Sequence, residues 1–179
     1  IAKIENASLH AREIVKKLML FGRQMPPQKT GINLNNMVEE GLYFLKSRCK
    51  KSGIAIKLSL DDRLPEIDAD QSQIYQVLVN LARNAMDSVR SQAVGSERKV
   101  LIRARAAEGQ GIIEVVDTGP GVPPELQNRV FELSVSRRQS TGLGLFLAKA
   151  LVERNHGTLS CIPSDRGACF RMILPGGCN

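Results

Sequence analysis

Tryptophan is absent from this 179-residue sequence, and the other aromatic residues, two Tyr and five Phe, make up only 4% of it. Proteins that bind single-stranded nucleic acid combine basic residues with aromatic rings on which the bases stack. The basic residues here are scattered and have few aromatic neighbours. The net charge of +7 favours an anionic partner, but the composition argues against nucleic acid as that partner.

Cysteine is also scarce. Cys49, Cys161, Cys169 and Cys178 show no C-x-x-C spacing and no paired histidines, so neither a zinc site nor a redox motif is indicated. Cys161 and Cys169 could face each other across an expected hairpin. A structural disulfide is not typical of so Cys-poor a chain, so we expect reduced thiols.

Long apolar runs are missing as well. No stretch approaches the roughly 20 apolar residues of a membrane-spanning helix, and residues 1–10 contain no signal-peptide core. Hydrophobic residues make up 42% and charged residues 24%, which is typical of one folded soluble domain. The chain begins with Ile1 instead of Met, which leaves room for a sensor or membrane segment upstream.

Apolar residues recur at a spacing near 3.6 from residue 3 to residue 21, which predicts a helix. Gly22 ends it, and Pro26 and Pro27 indicate a linker. A helix that contributes little to the following core is typical of half an interface, for example with a second copy of the chain. The alternative is a helix that folds back on its own domain.

The rest of the chain predicts three helices and two pairs of strands after a first strand. In order, these are a helix over 33–51 capped by Asn33, a strand over 54–60, a turn-rich connection over 61–70, a helix over 71–90 capped by Asp70, a hairpin of strands 98–106 and 111–117, an irregular stretch from 118 to about 140 with a short helix after Pro123, a helix over 141–155 ended by Gly157, and strands 158–162 and 168–174. This order predicts an α+β sandwich of two layers, in which helices cover one face of a mixed sheet. An irregular stretch of about 20 residues indicates an active-site lid or a wrong assignment.

Two glycine-rich segments follow different kinds of element. In VDTGPGV (116–122), Asp117, Gly119 and Gly121 end an apolar strand, where the glycines would let a ligand approach the backbone; an Asp-x-Gly after a strand is otherwise commonly a turn cap. TGLGLFLAK (141–149) instead opens a helix, whose unpaired N–H groups favour a phosphate. Neither segment matches a Rossmann fingerprint or a P-loop.

The helix over 71–90 carries polar residues on one face, since Gln76, Asn80, Asn84 and Asp87 are spaced by four, four and three. Asn is a poor helix former, so two of them on one face need a reason. Their amide oxygens could coordinate a hard cation such as Mg²⁺ that also contacts phosphates. The alternative is that they satisfy backbone groups of a neighbouring segment.

Taken in order, these motifs resemble those of sensor histidine kinases. NLARNAMDS (80–88) is similar to the N box, DTGPG (117–121) to the first glycine box, RVFEL (129–133) to the F box and STGLGLFLAKALVERNHG (140–157) to the second glycine box. RGACFRMILP (166–175) resembles the closing strand. The resemblance implies the Bergerat-type ATP-binding fold of the superfamily of gyrase, heat-shock chaperone, histidine kinase and mismatch-repair ATPases.

The resemblance also implies a division of the chain. Residues 1–23 resemble the second helix of a dimerisation and phosphoacceptor hairpin, and LMLFGRQ (18–24) resembles the leucine-rich segment found where that helix ends. Residues 24–31 would be a linker and residues 32–176 the catalytic ATP-binding domain.

Residue roles follow from the resemblance by position. Asp117 would accept the adenine amino group, Asn84 would coordinate Mg²⁺, and Asn80 would lie beside it as the second catalytic residue. The stretch between Phe131 and Ser140 would be a mobile lid with a phosphate-neutralising Arg. The implied nucleotide-binding residues are Asn80, Asn84, Asp87, Ser88, Asp117, Gly119, Gly121, Val122, Phe131, Arg137, Arg138, Thr141, Gly142, Leu143, Gly144 and Leu145. Arg137 and Arg138 have the alternative of being a solvated charge pair.

The resemblance implies phosphoryl transfer without rapid hydrolysis, because related ATPases place a Glu at the position of Asn80 and an amide cannot act as a general base. The acceptor would be a histidine that passes the phosphate to a response-regulator Asp. His10 lacks the neighbouring residues of an acceptor motif, and His156 lies at a helix end. We therefore expect the acceptor to lie outside this sequence, so that the chain binds ATP and Mg²⁺ but cannot autophosphorylate by itself.

The implied partners are the phosphoacceptor helix, a receiver domain and a second copy of the chain, in the cytoplasm. The lid SVSRRQS (134–140), Asp87 and Ala168 depart from the family pattern, in which the latter two positions often hold a basic residue and a Thr. Two alternatives share these motifs: a serine kinase of the anti-sigma type, which lacks an upstream hairpin helix, and a nucleotide-gated binding module without catalysis.

Overall fold

Five strands form the main sheet of this protein, whose computed structural model describes residues 26–93, 95–132 and 143–177. The strands are β2 (Ala55–Leu60), β4 (Lys99–Ala107), β5 (Gln110–Asp117), β6 (Thr158–Ile162) and β7 (Cys169–Pro175), in the spatial order β2-β4-β5-β7-β6. The β2 strand pairs with β4 in parallel, and the other pairs are antiparallel. The sheet is therefore mixed, and both predicted strand pairs, 98–106 with 111–117 and 158–162 with 168–174, are confirmed.

A second, two-stranded sheet was not predicted. Strand β1 (Thr30–Ile32) pairs antiparallel with β3 (Ile67–Ala69). The first two residues of β1 belong to the expected linker, and β3 lies in the expected turn-rich connection. Each strand has only three residues, which is too short for an alternating pattern to be read, and its pairing depends on a distant part of the chain.

Three helices cover the main sheet: α1 (Leu34–Lys51), α2 (Gln71–Arg90) and α3 (Leu143–Arg154). The Oδ1 atom of Asn33 accepts from the backbone N–H of Asn36 at 3.1 Å. The Oδ1 atom of Asp70 accepts from the backbone N–H of Gln73, also at 3.1 Å. Both predicted N-caps are confirmed. The short helix expected after Pro123 is a single 3₁₀ turn over Pro124–Leu126. The helix expected over residues 3–21 lies outside the described residues.

The core lies between the helices and one face of the sheet. The α2 helix buries an apolar stripe, which includes Ile74, Val77, Leu78, Leu81 and Ala85, against strands β4 and β5. In these strands alternate residues point towards the helices, because side chains alternate between the two faces of a sheet. The buried stripe of α2 fixes the rotation of the helix and leaves its polar face at the edge of the core. None of the helices in the described ranges is both long enough and apolar enough to cross a membrane.

The sheet face away from the helices carries a cluster of charges. Glu114 in β5 is only 4% exposed. Its carboxylate lies 2.7 Å from the guanidinium of Arg171, 3.6 Å from that of Arg103 and 3.8 Å from that of Arg105. The register places Glu114 between Arg103 in β4 and Arg171 in β7. The aliphatic parts of such arginines can cover sheet surface while their charged ends stay near water.

Candidate functional site

Asp117, at the end of β5, is the most deeply buried carboxylate of the described residues, at 2% exposure. Its Oδ1 atom accepts from the backbone N–H of Gly119 at 2.7 Å, the hydroxyl of Ser88 at 3.1 Å and the backbone N–H of Ala168 at 3.4 Å. The first of these bonds is the local turn cap that the sequence left as an alternative. The other two come from α2 and from the loop before β7, so three segments fix the orientation of one carboxylate.

Glycines surround this carboxylate for steric reasons. A Cβ atom at Gly119 would overlap the hydroxyl of Ser88, and one at Gly121 would lie 2.8 Å from the carbonyl oxygen of Gly167. Gly121 has a φ of +76° and Gly167 one of +75°, a left-handed conformation that only glycine adopts readily. The two predicted glycines therefore belong to the site, and so does Gly167, which the sequence analysis did not assign to it.

The segment after Asp117 is held by a residue within the first glycine motif. The hydroxyl of Thr118 donates to the carbonyl oxygen of Glu97 at 2.7 Å and accepts from the backbone N–H of Lys99 at 3.0 Å. The side-chain amide of Gln92 donates to the carbonyl oxygen of Thr118. These contacts fasten the loop to the start of β4 and to the end of α2. Sequence reasoning missed them because Gln92 and Glu97 belong to no motif.

A cavity of about 320 Å³ opens beside this loop. It lies between the segment after Asp117 and the turn that joins β6 to β7, and its lining includes Gly121, Val122, Gln127, Cys161, Asp165 and Ala168. Ala168 connects the cavity to Asp117, because its backbone N–H and carbonyl oxygen bond to the side chain and the backbone N–H of Asp117. The predicted residues Gly121 and Val122 thus line a space next to the buried carboxylate.

The cysteine beside this cavity is not a reactive thiol. Burial, together with the nearby charge of Asp117, raises the pKa of Cys161 to about 11, so the thiol is neutral at neutral pH. The register pairs Cys161 with Phe170 and Ile162 with Cys169, which puts the two thiols on opposite faces of the sheet. Within the described residues, Cys49, Cys161 and Cys169 form no disulfide, which agrees with the expected reduced thiols.

The polar face of α2 meets the start of α3. The side-chain amide of Asn80 donates to the carbonyl oxygen of Gly144 at 2.6 Å, and a Cβ atom at Gly144 would lie 2.8 Å from Oδ1 of Asn80. This contact is the alternative that the sequence left open for the polar face of the helix, in which an Asn satisfies a backbone group of a neighbouring segment. Asn84 and Ser88 follow on the same face and are half-buried, so the contact to Asp117 and the contact to the start of α3 come from one helix.

Two other predicted residues, Asp87 and Phe131, have different surroundings. Asp87 is exposed, and its carboxylate lies 3.8 Å from the guanidinium of Arg90. Phe131 is buried and packs edge-on against Phe170 with ring centroids 6.1 Å apart, while the amine of Lys149 lies 5.3 Å above the ring of Phe131. Phe131 therefore anchors the segment before the expected lid to the core.

The helix that was expected from residue 141 begins at Leu143 in the described part of the chain. Leu143 is buried, and Leu145 packs partly against the core, while Gly144 lies in the first turn. Arg137, Arg138, Thr141 and Gly142, together with the rest of the expected lid, lie outside the described residues.

A divalent cation would find oxygen ligands here but no acidic cluster. Within residues 26–93, 95–132 and 143–177 there is no group of three or more His, Cys, Asp or Glu residues that could hold a metal. The side-chain oxygens of Asn84 and Asn80 are hard ligands of the kind that Mg²⁺ accepts together with water and phosphate oxygens. The donor set therefore fits Mg²⁺ bound together with a phosphate and not an all-protein metal cage.

Comparison with known proteins gives a consistent result. The family model described as "Histidine kinase-, DNA gyrase B-, and HSP90-like ATPase" matches residues 69–177. The sensory histidine kinase/phosphatase NtrB of Vibrio alginolyticus is 33% identical over 167 residues, which cover 87% of this chain and 47% of NtrB. The chain thus spans less than half the length of this relative.

Solved structures share the fold. The crystal structure of full-length ShkA in complex with AMPPNP has a TM-score of 0.76 and 27% identity, and the match covers 87% of this chain and 32% of ShkA. Histidine kinase ThkA in complex with the response regulator protein TrrA has a TM-score of 0.80 and 23% identity, over 97% of this chain and 49% of ThkA.

Proposed function

Because the chain belongs to the histidine kinase-, DNA gyrase B- and HSP90-like ATPase family and contains a histidine kinase ATP-binding domain, we propose that it binds Mg-ATP and transfers the γ-phosphoryl group to a histidine outside these residues. The observation that carries the proposal is Asp117, a carboxylate at 2% exposure that three segments of the chain orient.

Asp117 is suited to select adenine. A carboxylate accepts hydrogen bonds and does not donate them when ionised, so it pairs with the exocyclic amino group of adenine and repels the carbonyl oxygen that guanine carries there. Burial strengthens this selection, since an unpaired buried carboxylate is costly. Gly119 and Gly121 keep the loop free of side chains where the purine approaches, and Val122 adds an apolar contact.

The phosphates would lie towards the start of α3. Eight residues of α2 separate Ser88, next to Asp117, from Asn80, next to Gly144, which is roughly 12 Å along the helix axis. An extended nucleoside phosphate spans such a separation. The N–H groups of the first turn of a helix favour an anion, and we assign this role to residues 141–145. Arg137 or Arg138 supplies further positive charge.

Asn84 would hold Mg²⁺ through its side-chain oxygen, and the bound ion would neutralise charge on the phosphates. The chain itself offers no general base at Asn80, because an amide does not take up a proton at neutral pH. Positioning of the γ-phosphoryl group, not activation of water, is therefore the chemistry that these residues support.

The partners follow from the proposed reaction. We infer that residues 1–23 are the second helix of a dimerisation hairpin, that residues 24–31 join it to the catalytic domain over 32–176, and that the full-length protein pairs with a second copy. The acceptor histidine would pass its phosphate to a receiver domain, and ThkA, which shares this fold, has been solved in complex with a response regulator. This reaction places the domain in the cytoplasm.

Calorimetric titration with ADP and with AMPPNP, each with and without Mg²⁺, tests nucleotide binding. We expect the native chain to bind both and Asp117→Asn to lose at least tenfold in affinity, since the amide presents a donor to the adenine amino group. Glu114→Gln is the matched control, because it alters a carboxylate of similar burial on the opposite face of the sheet. Equal losses in the two variants, or no binding by the native chain, would contradict the adenine site.

Phosphoryl transfer is tested by adding the hairpin of a full-length relative as acceptor, with labelled ATP and Mg²⁺. We expect a phosphorylated acceptor whose label is lost in acid and kept in alkali, as for phosphohistidine. A label that is stable in acid would favour the serine kinase. Nucleotide binding without transfer would favour the nucleotide-gated binding module.

A further inference from the structure

We propose that Asn80 is a positioning residue, whose amide N–H group holds the carbonyl oxygen of Gly144 and thereby fixes the first turn of α3 against the phosphates. This inference rests on the proposed nucleotide-binding function and deepens it. It assigns the requirement at position 80 to a hydrogen-bond donor, which asparagine has and an acidic residue lacks, and not to a metal ligand.

The geometry of the contact supports a donor role. The distance from Nδ2 of Asn80 to the carbonyl oxygen of Gly144 is 2.6 Å, and the contact is partly buried. A carbonyl oxygen in the first turn of a helix normally accepts one bond from the N–H four residues on, and its second lone pair is available to a side chain. The amide of Asn80 uses that capacity.

The contact also explains the glycine. A Cβ atom at Gly144 would lie 2.8 Å from Oδ1, 3.1 Å from Nδ2 and 3.3 Å from Cγ of Asn80. The whole amide group therefore lies close to the α-carbon of Gly144, and a Cβ atom at 144 would force the amide to shift. Asn80 and Gly144 fit as a pair, which makes the glycine a packing requirement as well as a part of the phosphate-binding motif.

A second contact holds the far end of α3, so loss of the Asn80 contact should affect only the start of that helix. At the other end of the helix pair, the side-chain amide of Asn155 donates to Oε1 of Gln73 at 2.9 Å, and Asn155 is fully buried. Gln73 precedes Asn80 in α2 while Asn155 follows Gly144, so the two helices run antiparallel and α3 is joined to α2 near both of its own ends. Loss of the Asn80 contact frees the start of α3 while its far end stays fixed.

The two roles of Asn80 make opposite predictions for Asn80→Asp. A carboxylate is at least as good a ligand for Mg²⁺ as an amide oxygen, so a ligand role would survive and high Mg²⁺ would restore binding. A positioning role would be lost, because an ionised carboxylate donates no hydrogen bond and would repel the carbonyl oxygen of Gly144. Asn84→Asp is the matched control one turn further along the same face.

The experiment measures AMPPNP affinity across a series of Mg²⁺ concentrations, together with hydrogen exchange of the peptide that contains residues 143–148 without nucleotide. For Asn80→Asp we expect at least a tenfold loss of AMPPNP affinity that high Mg²⁺ does not restore, and faster exchange at the start of α3. For Asn84→Asp we expect unchanged exchange and an affinity that depends on Mg²⁺. Recovery of Asn80→Asp at high Mg²⁺, or unchanged exchange, would overturn the proposal.

A reciprocal variant keeps the test independent of the folding of Asn80→Asp. Gly144→Ala leaves Asn80 in place but displaces its amide group, so it should reproduce the faster exchange, and the double variant should be little worse than either single one because both break the same contact. Additive effects would show that the two residues act separately. Binding of ADP by the native chain, and its loss in Asp117→Asn, reports on the proposed function separately from this inference.

Discussion

Among single residues, Ser88 is the side chain that orients Asp117 from outside the loop of Asp117 itself. Its hydroxyl donates to Oδ1 of Asp117 at 3.1 Å. Hydrogen bonds to charged groups contribute about 1.5–3 kcal/mol, and about 1.4 kcal/mol corresponds to a tenfold change in affinity. We expect Ser88→Ala to weaken ADP binding by about tenfold in a calorimetric titration, because the carboxylate gains freedom to turn away from the base.

Ser91→Ala is the matched control for this prediction. The hydroxyl of Ser91 donates to the backbone carbonyl oxygen of Ser88 at 2.7 Å, so the control removes a serine hydroxyl from the same end of α2 without touching Asp117. Native affinity in Ser88→Ala, or an equal loss in both variants, would remove Ser88 from the site.

The residues of the site were predictable to different extents. Asp117, Gly119, Asn80 and Asn84 lie in ordered motifs, so spacing and resemblance are enough to predict them as site residues. The atoms that hold Asp117 could not be identified in this way, because Ala168 contributes only backbone groups and any residue type carries those. Sequence spacing also left two roles open for Asn80, and only the distance to Gly144 distinguishes a donor from a ligand.

At the scale of elements, Asp70 joins three segments. Its Oδ1 atom accepts from the backbone N–H of Gln73 and the hydroxyl of Ser72, its Oδ2 atom accepts from the backbone N–H of Gln28 at 3.0 Å, and its own N–H donates to Oδ1 of Asn155 at 2.7 Å. The cap of α2 is thus also the point at which the preceding segment and the end of α3 are fastened.

The pH dependence of stability should reflect this junction. Partial burial of Asp70 opposes ionisation, but the hydrogen bonds from Ser72, Gln73 and Gln28 outweigh it and lower the pKa of Asp70 below its ordinary value of 3.8. The ionised carboxylate therefore stabilises the folded state fully above pH 3.8, and this contribution is lost as the pH falls through the lower pKa of the folded state.

We expect Asp70→Ala to lower the free energy of unfolding by about 1–2 kcal/mol at pH 7 in urea, as loss of an N-cap does, and this difference from the native chain to shrink as the pH falls below 3.8. Asp68→Ala removes an exposed carboxylate from β3 and is the control for the change in net charge. A difference that stays constant down to pH 2 would contradict the assigned role.

Helices were easier to predict than short strands for a physical reason. The caps of α1 and α2 and the apolar stripe of α2 are local, so Asn33, Asp70 and the spacing of apolar residues indicate them directly. Strands β1 and β3 depend on pairing between Thr30 and Ala69, which no local pattern specifies. The same holds for the joint between Gln73 and Asn155.

At the scale of the whole molecule, the two faces of the main sheet have separate tasks. Asp117, Ser88 and Asn80 all lie on the helix side, where α2 connects the surroundings of Asp117 to the start of α3. Glu114 and its three arginines lie on the other side. Adjacent positions in β5 point to opposite faces. The strand can therefore place apolar residues in the core on one face and the buried acid Glu114 on the other. The sequence analysis did not assign Glu114 a role, since its partners come from two other strands.

The charge cluster around Glu114 should stabilise the fold. The side chain of Glu114 is 6% exposed, whereas those of Arg171, Arg105 and Arg103 are 32%, 43% and 49% exposed. Removing one partner of a buried ionic cluster costs about 3–5 kcal/mol. Because water screens the exposed ends of the arginines, we expect Glu114→Gln to lower the free energy of unfolding by about 2–3 kcal/mol.

The same variant should respond to salt and leave the nucleotide site intact. Without the carboxylate the three arginines repel one another, so added salt should reduce the loss of stability through screening. Glu132→Gln is the comparison, since it breaks the exposed pair with Arg129, whose side chains are 52% and 57% exposed, and such pairs contribute about 0–1 kcal/mol. Urea unfolding at low and high salt measures both variants. If Glu114→Gln were as mild as Glu132→Gln, the cluster would be a surface feature; if it lost ADP affinity while folded, the two faces would be coupled.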